Sequence, residues 1–293
     1  MNSSQYKKCQ LKYLCSQIGC KPAEVEYISI HIDDYYKEWT EKKLDKITGD
    51  FKRYKDGTLK QRIIRPSLNR LKSIQRTIKK KILEPITLPE NIKGGVKGGS
   101  NIANAKPHQG NKFQFTTDLQ NYFPSIKYKR VYDTFVSLGF SHHIAHWLTL
   151  LTTWKYELPQ GTPTSTHIAN LVFLDTDKEL IVFCKKHGIT YTRYVDDLTF
   201  SSQQDFKQIL NEILQIILRS GFKISYRKTK YSGGQIITGI QVFNNYIDAP
   251  PAVKEKAFAE LKSSSITKPY SNYLNNIRKT NKTINKKHRI HSK

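Results

Sequence analysis

One stretch of the chain decides its fold: Tyr191-Thr192-Arg193-Tyr194-Val195-Asp196-Asp197-Leu198-Thr199-Phe200. The apolar runs 189–194 and 198–201, on either side of the acidic pair, are typical of strands. The pattern predicts an antiparallel hairpin with Asp196 and Asp197 at its tip. Two adjacent carboxylates repel each other there, and a divalent cation removes that repulsion, with oxygen ligands suiting Mg²⁺. The alternative is that the pair is an ordinary solvated turn.

A third carboxylate follows a separate strand-like run. Residues 112–117 form a predicted short strand with Phe113 and Phe115 on one face, and Asp118 comes directly after it. Nucleotidyl transfer uses two divalent ions, one to activate the attacking 3′-hydroxyl and one to carry the triphosphate. Asp118, Asp196 and Asp197 together therefore predict a catalytic site that holds two Mg²⁺ ions.

The rest of the chain mixes helical and strand-like patterns. Apolar residues at helical spacing predict helices over about 68–83, 128–138, 142–153, 164–186 and 205–219. The pattern over 51–64 predicts a hairpin with Asp56-Gly57 at its turn, and strand-like patterns cover 222–225 and 235–243. Residues 94–110 form a predicted glycine-rich loop. The mixture predicts an α+β fold.

Charge points to a polyanionic partner. Lys and Arg number 49 against 24 Asp and Glu, a formal net charge of +25, which favours nucleic acid. A membrane surface is the rival polyanion, but no apolar run reaches the roughly 20 residues that span a bilayer, so we expect nucleic acid and no membrane. With a polar N-terminus and four cysteines at spacings that fit no standard zinc motif, we expect a cytoplasmic protein with reduced thiols. The run His142-His143-x-x-His146 more readily begins a solvated helix than a metal site.

Five blocks, in order, make the chain similar to bacterial reverse transcriptases. They are 62–67 with 71–76, 115–126, 158–165, 191–200, and Gly221-Phe222 with Lys228-Thr229. Two further features resemble the retron members: Asn104-Ala105-Lys106-Pro107-His108, which fits N-A-x-x-H, and Ile237-Thr238-Gly239, where that family carries Val-Thr-Gly. The resemblance covers roughly residues 50–260. The chain departs from it at Val195, where retron enzymes mostly carry alanine.

The resemblance implies a right-hand polymerase with fingers, an antiparallel-sheet palm and a short thumb. We expect an N-terminal region and fingers over 1–110, and a palm over 111–250 that includes a fingers-associated segment at about 128–157. A short basic thumb or tail is expected over 251–293. In this family's site, Asp118 and Asp196 hold both metal ions, Asp197 completes the cluster, and the backbone carbonyl of Leu119 adds a ligand.

Other roles concern the incoming dNTP. The resemblance makes Phe123 a steric gate against a 2′-hydroxyl, and it places Gln160 and Gly161 where base and sugar dock. Arg62 and Lys55 are expected to grip the triphosphate from the fingers. Lys228 is expected to protonate the leaving pyrophosphate as a general acid. The alternatives are a core phenylalanine, a turn before a helix, and solvated or phosphate-contacting cations.

RNA contacts are expected in two places. Asn104 and His108 either touch RNA or cap and pack the glycine-rich loop. The acid-free C-terminal segment is expected to hold structured RNA through its cations, which are Arg278, Lys279, Lys282, Lys286, Lys287 and Arg289.

The implied function is an RNA-directed DNA polymerase of a retron. It would copy a structured non-coding RNA, which is both template and priming partner, into DNA from dNTPs, in anti-phage defence and with a possible effector protein. Another bacterial defence or group II-like reverse transcriptase is an alternative. A non-catalytic RNA-binding scaffold is the alternative from another class.

Overall fold

A computed structural model describes residues 3–44, 49–54, 56–233, 236–262 and 266–290, with side chains from 5 to 281. The α-helices are α1 Ser3–Ile18, α2 Pro22–Ile30, α3 Asn69–Ile78, α4 Asn101–Ala105, α5 Tyr122–Ser125, α6 Tyr128–Ser137, α7 His142–Thr152, α8 Ser165–Val172, α9 Leu174–Lys186, α10 Leu210–Arg219, α11 Pro251–Lys262 and α12 Pro269–Ile290. The strands are β1 Trp39–Lys42, β2 Gln61–Ile64, β3 Phe113–Asp118, β4 Thr190–Tyr194, β5 Asp197–Ser202, β6 Lys230–Ser232, β7 Ile236–Ile237, β8 Ile240–Val242 and β9 Ile247–Asp248.

The long helix expected over 164–186 is two helices, α8 and α9, which are separated at Phe173. The Tyr122 hydroxyl donates to the carbonyl of Ala169 at 2.6 Å, and this carbonyl also accepts from the amide of Phe173 at 3.2 Å. The Ala169 carbonyl is thus shared between the helix and a side chain from outside it. The apolar spacing of the sequence carries no trace of this contact, so the break was missed.

The chain divides into two units, and the first comprises Met1–Lys43, Phe51–Pro89 and Gln120–Asp177. It is mainly helical, and the apolar face predicted for α3 is buried, with Leu71, Ile74 and Ile78 fully enclosed. Strands β1 and β2 pair antiparallel. The hairpin predicted over 51–64 is therefore only partly right: the turn forms, with Tyr54 N–H donating to Thr58 O at 2.8 Å, but β2 pairs with an earlier strand.

The second unit comprises Leu44–Asp50, Glu90–Leu119 and Lys178–Lys293. Its main sheet has the order β4-β5-β3-β6, and every neighbouring pair is antiparallel. Phe200 stacks on Tyr191 with ring centres 4.8 Å apart, and Phe115 lies against it at 5.7 Å. The antiparallel sheet is confirmed.

A smaller three-stranded sheet, β7-β8-β9, belongs to the same unit. It shares a buried apolar cluster with α11 and α12, formed by Ala105, Ile237, Ile240, Val242, Ile247, Ala249, Val253 and Ile277. The division into fingers, palm and thumb at 1–110, 111–250 and 251–293 stays a prediction. No helix in the described ranges is long and apolar enough to span a bilayer.

Candidate active site

The acidic hairpin forms as the sequence predicts. Tyr194 pairs with Asp197, so β4 and β5 are joined by a turn of only Val195 and Asp196. Val195 has a φ of +62°, in the left-handed region. Tight hairpin turns need a positive φ at the first turn position, where glycine is favoured. A β-branched side chain there costs on the order of 1–3 kcal/mol, which the surrounding structure must offset.

The three predicted aspartates meet at one end of the main sheet. Asp118 ends β3 and lies directly opposite Asp197 of β5 in the antiparallel register. Opposed residues of such a pair point to the same face, with Cβ atoms roughly 4.5–5.5 Å apart. The Leu119 N–H donates to the carbonyl oxygen of Asp196 at 3.0 Å, which ties the end of β3 to the turn. Residues far apart in sequence are thereby brought into one acidic corner.

Lys228 also belongs to this corner. Its ammonium is ion-paired with the Asp118 carboxylate, which is 11% exposed against 47% for the lysine side chain. The amide of Ser225 donates to the carbonyl of Asp118 at 2.8 Å, and Thr229 is hydrogen-bonded to Thr117 at 2.8 Å. These bonds hold the turn that carries Lys228 beside the end of β3.

The donor chemistry of the corner fits a divalent cation. Carboxylate oxygens are the ligands that Mg²⁺ prefers. A positive charge already lies beside Asp118, on the ammonium of Lys228. In the part of the chain that the structure describes, no group of three His, Cys, Asp or Glu side chains is arranged to hold a metal ion. The contact that the structure shows at the Asp118 carboxylate is the ion pair with Lys228.

The first unit contains the residues predicted to contact the nucleotide. Gln160 accepts through its carbonyl from the amide of Arg65 at 2.7 Å. Gly161 has a φ of +113°, and a Cβ there would lie 3.3 Å from the Ile64 side chain. Glycine at this position is therefore required by the chain's own packing, whatever ligand docks beside it.

Phe123 follows a buried neighbour. The Tyr122 ring is 3% exposed and anchored through its hydroxyl, whereas Phe123 is half-buried. Tyr122 is therefore the core residue of this pair, and Phe123 is partly exposed. The steric gate assigned to Phe123 stays a prediction.

Two basic side chains, Arg62 and Lys55, are predicted to hold the triphosphate, and the structure describes Arg62. Arg62 lies opposite Glu41 in the β1–β2 pair and forms an exposed ion pair with it at 2.5 Å. Such a surface pair is weak, roughly 0–1 kcal/mol, so it leaves the guanidinium accessible to a phosphate. Lys55 lies outside the described residues.

Sequence reasoning missed a basic cleft in the first unit. The cleft has a volume of about 500 Å³ and is lined by Lys72, Arg76, Lys79, Lys80, Glu84, Gly161, Thr162 and Pro163. Lys72, Arg76 and Lys80 recur every four residues, which places them along one helical face. That spacing was visible in the sequence, but nothing in it showed that this face lies beside the loop that carries Gly161.

Asn104 and His108 are buried, with exposures of 0% and 1%. His108 hydrogen-bonds through Nδ1 to the Ser201 hydroxyl at 2.6 Å and through Nε2 to the Thr192 hydroxyl at 2.7 Å. Burial lowers the pKa of His108 to about 3, so the ring is neutral at pH 7. Both ring nitrogens are occupied inside the protein, which favours the packing alternative over direct RNA contact.

Asn104 connects the two features that resemble retron enzymes. Its side-chain amide donates to the hydroxyl of Thr238 at 3.4 Å, and Asn101 donates to the carbonyl of Thr238 at 3.2 Å. The N-A-x-x-H block and the Ile237-Thr238-Gly239 block are therefore partners in one packing contact. Neither had a partner that the sequence could identify.

The basic segment begins on α12. Arg278 and Lys279 are exposed, and they line a polar groove of about 710 Å³ with Asn272, Asn275 and Asn276. The side chains of Lys282, Lys286, Lys287 and Arg289 lie outside the described part of the chain. The helical backbone continues to Ile290.

Comparison with known proteins gives the site a family context. The sequence model of a family described as "Reverse transcriptase (RNA-dependent DNA polymerase)" matches residues 54–285. The chain is 35% identical over 173 residues to the retron Ec86 reverse transcriptase of Escherichia coli, covering 58% of this chain and 54% of that protein. It is 28% identical over 276 residues to the retron Mx162 reverse transcriptase of Myxococcus xanthus, covering 82% and 54%. The chain thus spans about half the length of these relatives.

Proposed function

The chain belongs to the reverse transcriptase family, and from this premise we propose that it is an RNA-directed DNA polymerase of a retron. One observation carries the proposal: Asp118 lies opposite Asp197, beside the turn that holds Asp196. Three carboxylates at one end of an antiparallel sheet are the ligand set that two-metal nucleotidyl transfer needs.

Magnesium is the proposed cofactor, as two ions held by Asp118, Asp196 and Asp197 with the Leu119 carbonyl. When bound, these ions would activate the 3′-hydroxyl and neutralise the triphosphate. The chain's own contribution is placement, because the bond from Leu119 to Asp196 keeps the strand end and the turn together.

Lys228 is proposed to act as the general acid. Its ammonium neutralises the negative charge of Asp118, which lies beside two further carboxylates. Release from Asp118 leaves a protonated amine next to the reacting centre, where it can donate its proton to the leaving pyrophosphate. One side chain would thus both pair with Asp118 and supply the proton.

The first unit is proposed to supply the nucleotide contacts. The partial exposure of Phe123 is compatible with a gate that clashes with a 2′-hydroxyl and selects dNTPs. Gln160 and Gly161 would dock the base and sugar, and Arg62 with Lys55 would hold the triphosphate. The nearby cleft of Lys72 and Arg76 adds positive charge suited to a phosphate backbone.

The proposed template and primer is a structured non-coding RNA, and the product is DNA. The net charge of +25 and the exposed Arg278 and Lys279 support binding to RNA. The names of the relatives, each a retron reverse transcriptase, support the retron assignment. Anti-phage defence in the cytoplasm, with an effector protein, completes the proposal.

Primer extension tests the proposal directly. Purified protein is given an RNA template, a DNA primer, dNTPs and Mg²⁺, and the Asp118→Asn variant is the control. We expect extension by the native protein only. RNA binding without extension on any template would instead identify a non-catalytic scaffold. Sequencing of co-purified nucleic acid tests the retron assignment, since a branched RNA–DNA hybrid is the expected product.

A further inference from the structure

The catalytic turn adopts a backbone conformation that its own sequence disfavours. Val195 is β-branched and has a φ of +62°. Asp196 and Asp197 follow directly, so the direction of their carboxylates depends on how firmly this turn is held. Three sets of contacts hold it. Two come from residues 91–94, and the third comes from the buried side chain of Arg193.

The first contacts come from residues 91–93, which run beside β4 like an extra strand. The Arg193 N–H donates to the carbonyl of Asn91 at 2.9 Å, and the Lys93 N–H donates to the carbonyl of Arg193 at 2.8 Å. Ile92 forms a parallel bridge with Arg193 and is 3% exposed. β4 is the outermost strand of its sheet, so this segment covers an edge that would otherwise be open.

The second contact is made by Gly94. A Cβ built on this glycine would lie 2.4 Å from the amide nitrogen of Val195 and 2.8 Å from the carbonyl carbon of Tyr194. Both are backbone atoms, which cannot rotate away as the end of a long side chain can. Only glycine lets the 91–94 segment press against the catalytic turn.

The third contact comes from the Arg193 side chain. It has an exposure of 0%, and its guanidinium donates to the Val195 carbonyl at 2.8 Å. A charge-assisted bond to a backbone carbonyl is among the stronger hydrogen bonds in proteins. It restrains the peptide that connects Val195 to Asp196.

We propose that Gly94 and Arg193 are positioning residues of the polymerase site, which hold the Val195–Asp196 turn so that the carboxylates face Asp118. The inference rests on the proposed polymerase function for its kinetic readout alone. Neither residue is among those assigned above to the metal ions or the nucleotide. A displacement of about 1 Å at a catalytic group can cost on the order of 100-fold in rate, so small errors in this turn matter.

Gly94→Ala is the principal test, because its only addition is one methyl group aimed at the turn. Gly233→Ala is the matched control, since a Cβ at Gly233 lies an ordinary 3.7 Å from the nearest atom. We expect Gly94→Ala to lower kcat about 10- to 100-fold with KM for dNTP within about threefold, the pattern of a lost transition-state interaction. The control is expected to match the native protein.

Hydrogen–deuterium exchange supplies a readout that is independent of activity. In Gly94→Ala we expect faster exchange in a peptide over 191–200 and unchanged exchange over 113–118. We also expect a smaller rise of Tm on addition of Mg²⁺. A merely structural role would lower Tm while leaving the kcat of the folded protein and the local exchange unchanged.

Arg193→Lys and Arg193→Met test the buried side chain. Lysine keeps a charged donor, so kcat should lie between those of the native protein and Arg193→Met. If the methionine variant fails to fold, Arg193→Lys and Gly94→Ala decide the matter. Native kcat and native exchange over 191–200 in both would overturn the positioning role and leave the polymerase intact. Altered exchange with no extension by the native protein would instead reject the polymerase.

Discussion

The Lys228 ammonium is ion-paired with the carboxylate of Asp118, the residue that ends β3 opposite Asp197. A cation supplied by the chain thus occupies the position at which a metal ion is expected to bind. We expect the lysine and a metal ion to compete for the Asp118 carboxylate, and such competition has consequences that can be measured.

Lys228→Gln should separate the two proposed roles of this lysine. Loss of the competing ammonium should lower the Mg²⁺ concentration for half-maximal stabilisation, as measured by thermal shift. Loss of the acid should lower kcat by roughly 100-fold, a usual contribution of general acid catalysis. Lys223→Gln, an exposed neighbour, should do neither. A raised Mg²⁺ requirement in Lys228→Gln would show that the lysine helps to bind the metal.

Asp196→Asn should abolish DNA synthesis while RNA binding survives. Removing a metal-ligating charge withdraws several kcal/mol of transition-state stabilisation, so we expect a loss of at least about 100-fold in kcat. Single-nucleotide extension and RNA affinity are measured on the same preparation. Glu212→Gln, which changes an exposed acid on α10, is the control. Extension by Asp196→Asn at a near-native rate is incompatible with the site.

Phe123→Ala should admit ribonucleotides, because the proposed filter is a steric clash with the 2′-hydroxyl. The ratio of kcat/KM for dNTP over rNTP is expected to fall by at least about tenfold, which corresponds to roughly 1.4 kcal/mol. Tyr122→Phe removes the hydroxyl bonded to Ala169 and should cost stability without changing that ratio. Unchanged selectivity in Phe123→Ala would reduce Phe123 to a packing residue.

The His108 pKa of about 3 makes stability depend on pH. The unfolded chain protonates this ring below about pH 6.5, whereas the folded chain keeps it neutral, so acid favours unfolding. Between pH 6.5 and 4 its contribution to the free energy of unfolding should fall by up to about 1.4 kcal/mol per pH unit. Urea titrations at pH 7 and pH 5 should show a smaller pH effect in His108→Gln. The exposed control His187→Gln should keep the native pH dependence.

Charge on α12 should govern how salt weakens RNA binding. Replacing both Arg278 and Lys279 with Gln should lower the affinity and reduce the salt slope by about 0.7–0.9 of a log unit per lost phosphate contact. Extension of a saturating simple primer–template should persist. Lys185→Gln with Lys186→Gln, at the exposed end of α9, is the matched control. Equal slopes for native and α12 variants would mean that the RNA is held elsewhere.

Much of the local structure could be read from the sequence, since strands and helices follow from patterns within a few residues. Alternation of apolar residues predicted β3, β4 and β5, and helical spacing predicted α6 and α7 at nearly their observed bounds; α3 was predicted to run to residue 83 but ends at Ile78. The break at Phe173 was missed because the apolar spacing runs through it without interruption. In the structure the Tyr122 hydroxyl, from another part of the chain, binds the Ala169 carbonyl beside it.

The sequence by itself determined the acidic hairpin and the identity of its carboxylates, because a two-residue turn between alternating strands is a local property. Tertiary structure alone decided which residues surround them. It buried His108 between Ser201 and Thr192, paired Lys228 with Asp118 and pressed Gly94 against Val195. These contacts join distant segments, and side-chain type does not encode which distant backbone a residue will meet. Packing settles that only when the whole chain is folded.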